Sequence, residues 1–282
     1  MVVRPFDIDG LRARVWAGGS PAPFSRLSSM AISLDGCLEL ACAARQWSTG
    51  EPAELVARWG EELPFVRRAI EAFHAPPERT HELESVELWR IGSANDWLDE
   101  TEGQQFLVRF ARALRHRGFP VPFANGLGKA LAEMTDNVLQ HSGSESRKPA
   151  LAVAGFHVEQ EWMTFAVADT GRGVLERLLS NPRWANITNS TDALAAILER
   201  RATSRVNEPE GHGFPELFRA LAKRNSVLRF RSGDGCLTFN GALSTPTFER
   251  ASSPPMNGFQ LSVICALKEV PKSRSADAQP IT

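Results

Sequence analysis

Apolar residues return at intervals of three and four along much of the first third of the chain, the mark of helices with one buried face. One such stretch covers 35–47, with Leu38, Leu40, Ala41 and Ala44. Another covers about 52–73, with Leu55, Val56, Trp59, Leu63, Val66 and Ile70. The two prolines in 74–79 (HAPPER) forbid its continuation, and the apolar run 85–91 (SVELWRI) then predicts a strand. Residues 1–30 are rich in Gly, Pro and Ser around a short strand-like run at 11–16.

The second half gives a longer alternation. Helices are expected over 104–116, closed by Gly118 and Pro120, and over 125–141. Strands follow at 151–158 and 162–169, then a long polar connection at 174–210 with a helical centre near 192–201. A helix at 213–224 and strands at 227–231, 236–240 and 260–267 complete the series. Helices, paired strands, a helix and more strands predict an α+β chain built as a two-layer α/β sandwich. The division expected is a smaller N-terminal α/β module of unassigned role at 1–104, a main domain at 105–270 and a polar, disordered tail at 271–282.

Composition narrows the picture without choosing a chemistry. The chain has 282 residues, 43% of them hydrophobic, enough for one large domain or two small ones. Its 32 basic and 33 acidic residues nearly cancel, so nothing points to nucleic acid or an anionic membrane. No run approaches the ~18 apolar residues of a membrane span. The opening MVVRPFDIDG carries acids where a signal peptide would be apolar, and the expected compartment is the cytoplasm. Cys37, Cys42, Cys236 and Cys265 show no metal-ligand spacing and read as buried thiols.

Three segments carry polar groups in suggestive places. In LGKALAEMTDNVLQH, Leu127, Leu131, Met134 and Val138 make an apolar stripe, and Glu133, Asn137 and His141 lie in line beside it at four-residue steps. A polar helix edge would look the same. In FAVADTGRGV an apolar strand ends at Asp169, with Gly171 and Gly173 next. A carboxylate there can accept from an exocyclic amine, and the glycines let backbone approach a ligand; an ordinary turn uses the same residues. In GHGFPELFRAL, Gly211 and Gly213 open a helix whose Leu217 and Leu221 share a face, an arrangement that suits phosphate oxygens.

In order, these segments resemble the N, G1 and G2 boxes of the GHKL superfamily: ALAEMTDNVLQHS, VADTGRGV and GHGF. That superfamily contains gyrase-type ATPases, histidine kinases and the serine kinases that act as anti-sigma factors. The resemblance spans about 105–270 and implies the Bergerat ATP-binding fold, with 174–210 in the position of the ATP lid. It implies that Asn137 coordinates Mg²⁺, that Glu133 serves as general base, and that Asp169 accepts from the adenine amine. Gly171, Gly173, Gly211 and Gly213 would pass close to the nucleotide, and His141 matches a position often His or Tyr. The chain departs from the pattern at Pro215, at the late strand NGFQLSVICAL, which lacks a Thr, and in having no gyrase-type phosphate lysine.

The segment around Asn137, Ser142 and Gly143 looks most like the anti-sigma serine-kinase branch. His81 is a poor match to a histidine kinase's phospho-acceptor, since no coiled hairpin surrounds it. The implied function is a Mg-ATP-dependent protein kinase or slow ATPase of a signalling pathway, with a protein regulator or substrate as partner. The alternative is an interaction protein whose ATP-ordered lid controls partner binding without important turnover.

Overall fold

The computed structural model describes residues 34–46, 64–74, 80–83, 86–91, 101–141, 151–159, 161–200, 217–218, 221, 224–241 and 248–269. The strand-like run at 11–16 and the tail at 271–282 lie outside them. The elements are α1 (Leu34–Gln46), α2 (Pro64–His74), β1 (Thr80–Leu83), β2 (Val86–Ile91), α3 (Thr101–His116), α4 (Val121–His141), β3 (Ala152–Val158) and β4 (Trp162–Asp169). Then come α5 (Val174–Leu179), a 3₁₀ turn (Pro182–Trp184), α6 (Ser190–Arg200), β5 (Arg224–Asn240) and β6 (Phe248–Glu269). The chain is a mixed α/β structure. Among the described residues, six strands form one antiparallel sheet in the order β1-β2-β3-β4-β6-β5. Strands β1 and β2, from the first 104 residues, continue this sheet, β2 pairing with β3 and β1 with β2.

Side chains alternate across a strand, so each strand presents two different faces. On one face, Phe156, Phe165, Val167, Leu228, Phe230, Leu261 and Val263 meet Phe106 and Phe110 of α3 and Leu127, Leu131 and Met134 of α4 in one core. Phe110 lies 5.1 Å from Phe156 and 5.8 Å from Phe165 between ring centres, with the second pair edge-on, as ring quadrupoles favour. Arg109 fastens α3 to β2 at the margin, donating to Glu87 Oε1 and to Glu102 Oε1, each at 2.7 Å.

The opposite face is covered by α1, which lies against β3, β4 and β6. Gly155 makes that approach possible, since a Cβ there would sit 2.6 Å from Leu88 Cδ2 and 3.2 Å from Leu34 Cδ1. Apolar packing by Leu34, Leu38, Ala41 and Cys42 is joined by a buried ionic seam. Glu39 Oε2 accepts from Arg229 Nη1 at 3.1 Å, and Glu39 Oε1 lies 3.4 Å from Arg231 Nη2. Gln260 Nε2 donates to the Asp35 carbonyl at 2.8 Å.

Several sequence expectations differ from the structure in extent: the strand expected at 260–267 is the longer β6, and Arg224, expected to end a helix, opens β5. The expected strands 227–231 and 236–240 are one strand, β5, because Gly233 and Gly235 do not reverse the chain. They form a bulge against Ser190 at the start of α6, where a Cβ on Gly235 would come within 2.8 Å of the Ser190 and Thr191 backbone. The register passes from Gly233–Met256 to Gly235–Ser252, a shift that marks the bulge. The 174–210 connection begins with folded structure: α5, the 3₁₀ turn and α6, joined by Leu178, Ala193 and Ala196 with Trp184 and Ile187 packed against them.

Candidate functional site

The site is built outward from the end of β4. Thr170 stops the strand by closing onto Leu151: its N–H donates to the Leu151 carbonyl at 2.9 Å, and the Leu151 N–H donates to Thr170 Oγ1 at 3.1 Å. The chain then turns. The Gly171 N–H donates to Asp169 Oδ1 at 2.7 Å, an Asx turn that fixes the carboxylate. Gly173 has φ +80°, open to glycine at no steric cost, and α5 starts immediately after it.

A second strand closes on the same carboxylate. Gly258 of β6, also at φ +80°, lies directly against Asp169. A Cβ at 258 would overlap the Asp169 carbonyl oxygen and come within 2.9 Å of Oδ1. The next residue, Phe259, hydrogen-bonds the Asp169 carboxylate through its backbone N–H. Ser232 of β5 accepts from the Val174 N–H at 2.8 Å and donates to the Gly258 carbonyl at 2.8 Å. Beneath the strand, Cys42 Sγ of α1 approaches the Asp169 carbonyl at 3.9 Å.

Asp169 is 4% exposed. Burial pushes its carboxyl up to about 7, against the opposing pull of the Gly171 and Phe259 N–H groups. An ionised carboxylate offers about four lone-pair positions, and those two donors leave capacity for an incoming N–H. A desolvated acid braced by two backbone donors thus keeps spare acceptor capacity.

The remaining sequence-selected residues fall as follows. Glu133 and Asn137 are half-buried on α4, beside the buried Leu127, Leu131 and Met134. That helix packs against β3 and β4. His141 is its last residue, and its side chain lies outside the described residues, as do Gly211 and Gly213. Leu217 and Leu221, expected on one helix face, are both buried in the main core. The structure therefore brings Asp169, Gly171 and Gly173 into one loop, with α4 laid over the strands that carry it.

Sequence reasoning missed Ser232, Gly258 and Phe259. The available signal was an isolated glycine inside an otherwise strand-like run, which marks a close backbone approach. Ser232 gave none, because S-G-D-G reads as a turn. The four cysteines are buried thiols without disulfides. Burial pushes the Cys265 thiol up to about 12 and Cys37 higher still, which favours the protonated thiol at both. Among the described residues no helix is long and apolar enough to cross a membrane.

Compared with known proteins, the chain matches no family model and no curated sequence.

Proposed function

We propose that this chain is a Mg-ATP-binding regulatory protein of GHKL type with a Bergerat pocket, acting as an ATP-dependent protein kinase or slow ATPase. The observation that carries the reading is Asp169: a buried carboxylate at a strand end, braced by backbone N–H groups and followed by a glycine loop. Adenine offers an amine N–H, and such an acid is a natural acceptor for it.

Asn137 suits the metal that accompanies the nucleotide. Among the described residues no three His, Cys, Asp or Glu side chains gather as a metal cluster. Mg²⁺ needs none, because it keeps several waters and takes phosphate oxygens, so one amide oxygen from Asn137 suffices. When bound, Mg-ATP supplies the phosphoryl group to be transferred. In this reading Asn137 holds the ion, Asp169 orients the base, and Glu133, one helical turn from Asn137, takes the proton of the attacking hydroxyl or water.

A second reading, nucleotide-gated partner binding without important turnover, is favoured by the connection after Gly173. Its α5, 3₁₀ turn and α6 share an apolar cluster, and Ser190 is seated on the β5 bulge. A folded surface next to the loop is available to a protein partner.

Calorimetric titration with ATP plus Mg²⁺, run beside Asp169→Asn and Asn137→Ala, tests the pocket. Wild type should bind and both variants should lose binding. No binding by the folded wild type removes the proposal. Glu133→Gln separates the two readings: lost output with retained binding favours catalysis, and unchanged output favours gating.

A further inference from the structure

The sequence-selected residues do not account for how the Asp169 carboxylate is held. Its bond from Gly171 is local, made within the turn. The bond from Phe259 comes from a different strand, and the peptide that makes it is itself held. Gly258 C=O and Phe259 N–H belong to one peptide unit. Its oxygen accepts from Ser232 Oγ at 2.8 Å, and its N–H donates to Asp169. A trans peptide points these two groups in opposite directions, so a bond that fixes one aims the other. The structure contains no cis peptide bond among the described residues.

The Ser232 hydroxyl has one proton, and its direction is set. Because Oγ accepts from the Val174 N–H at 2.8 Å, its proton is free to go to Gly258. The sequence is Val174 N–H to Ser232 O–H to Gly258 C=O, then Phe259 N–H to Asp169. Every donor points toward the carboxylate, and hydrogen bonds aligned in this way polarise one another. Ser232 is 1% exposed, so water does not compete for the hydroxyl. The glycines leave room for it: a Cβ on Gly173 would come within 2.8 Å of Ser232 Oγ and 3.2 Å of the Gly258 oxygen.

We propose that Ser232 is a positioning residue for the Asp169 carboxylate, which relays a polarised hydrogen bond from the start of α5 through the 258–259 peptide. It touches no ligand. It sets the orientation of the acid and favours its ionised form, the form that accepts from an amine. It also ties the glycine loop to Asp169, so that displacing the loop weakens the carboxylate's second donor. The consequence for ATP rests on the function proposed above; the relay does not.

The ionisable groups on the surrounding elements are Asp35, Cys37, Glu39 and Cys42 on α1, Lys129, Glu133 and Asp136 on α4, and His157 on β3. Arg172 lies in the loop, Glu176 and Arg177 on α5, Arg224, Arg229, Arg231, Asp234 and Cys236 on β5, and Glu249, Arg250 and Cys265 on β6. Burial and the two backbone N–H groups are what shift Asp169.

The test is carbon-detected NMR titration of the Asp169 carboxyl in wild type, Ser232→Ala, Ser232→Thr and Ser232→Cys. Ser232→Ala should move the midpoint upward by about one pH unit, the scale expected for weakening a donor to a buried carboxylate. Ser232→Thr keeps the hydroxyl and should restore the wild-type midpoint. Ser232→Cys keeps a side chain of similar shape with only a weak S–H donor, and should give a smaller shift in the same direction. It keeps the question answerable if Ser232→Ala does not fold. An unchanged midpoint in a folded Ser232→Ala or, failing that, in Ser232→Cys overturns the relay.

ATP titration of the same proteins at pH 7 should show about three- to tenfold weaker binding by Ser232→Ala. A shifted midpoint with no ATP binding by wild type removes the ATP reading and leaves the relay standing. ATP binding with an unshifted midpoint does the reverse.

Discussion

Gly258 lies so close to Asp169 that a single added carbon would overlap the Asp169 carbonyl oxygen. The neighbouring residue, Phe259, supplies one of the two backbone N–H groups on the carboxylate. Strand β6 thus serves both as the hydrogen-bonded neighbour of β4 and as one wall of the candidate site.

Gly258→Ala tests that contact. The substitution meets both a positive φ and a backbone collision, and should cost more than about 1 kcal/mol of stability. Urea denaturation reads the stability, and ATP titration of the folded fraction should show lost binding. A variant as stable as wild type with unaltered affinity would contradict the geometry.

The buried acid makes stability depend on pH in a definite direction. The folded chain holds the Asp169 proton up to about 7, against an ordinary value of 3.8. Below pH ~4 both folded and unfolded states carry the proton and the group has no effect. As pH rises from there toward 7, the unfolded chain releases its proton first, and folding loses up to about 4 kcal/mol from this group. Asp169→Asn removes that loss. Chemical denaturation at pH 5 and pH 8 should show the variant gaining on wild type as pH rises, while it loses nucleotide binding.

Nucleotide affinity should follow the same acid with the opposite sense. If the ionised carboxylate accepts from the base amine, ATP binding strengthens as pH rises through about 7. Calorimetry should find binding at pH 6 weaker than at pH 8 by about tenfold. A flat profile across that interval would detach Asp169 from the base.

Glu39 should matter for the stability of the sheet face that α1 covers. It lies buried between Arg229 and Arg231. Removing one member of such a cluster leaves buried charge without its counterpart, so Glu39→Ala should cost about 3–5 kcal/mol in urea denaturation. Glu39→Gln, which keeps an acceptor oxygen, should cost less. Equal stability of Glu39→Ala and wild type would mean that α1 is not held by this seam.

The sequence by itself determined the local pieces. Spacings of three and four placed α1, α3 and most of α4, because an amphipathic helix needs its apolar stripe wherever it packs. Alternation and length placed β2, β3 and β4, and an apolar run ending in D-T-G-R-G located the turn that holds Asp169. These are properties of a few neighbouring residues. Tertiary structure decided what no local pattern encodes. The glycines at 233 and 235 read as a turn, and only the closeness of Ser190 makes them a bulge inside one long strand. Glu39 reads as a solvated helix residue until β5 sets two arginines against it, some 190 positions later. Ser232 and Gly258 join the site because β5 and β6 pair in a register that puts Ser232 opposite Phe259. That register is set by the whole buried face of the sheet, since a one-residue slip would send every core side chain to the other side.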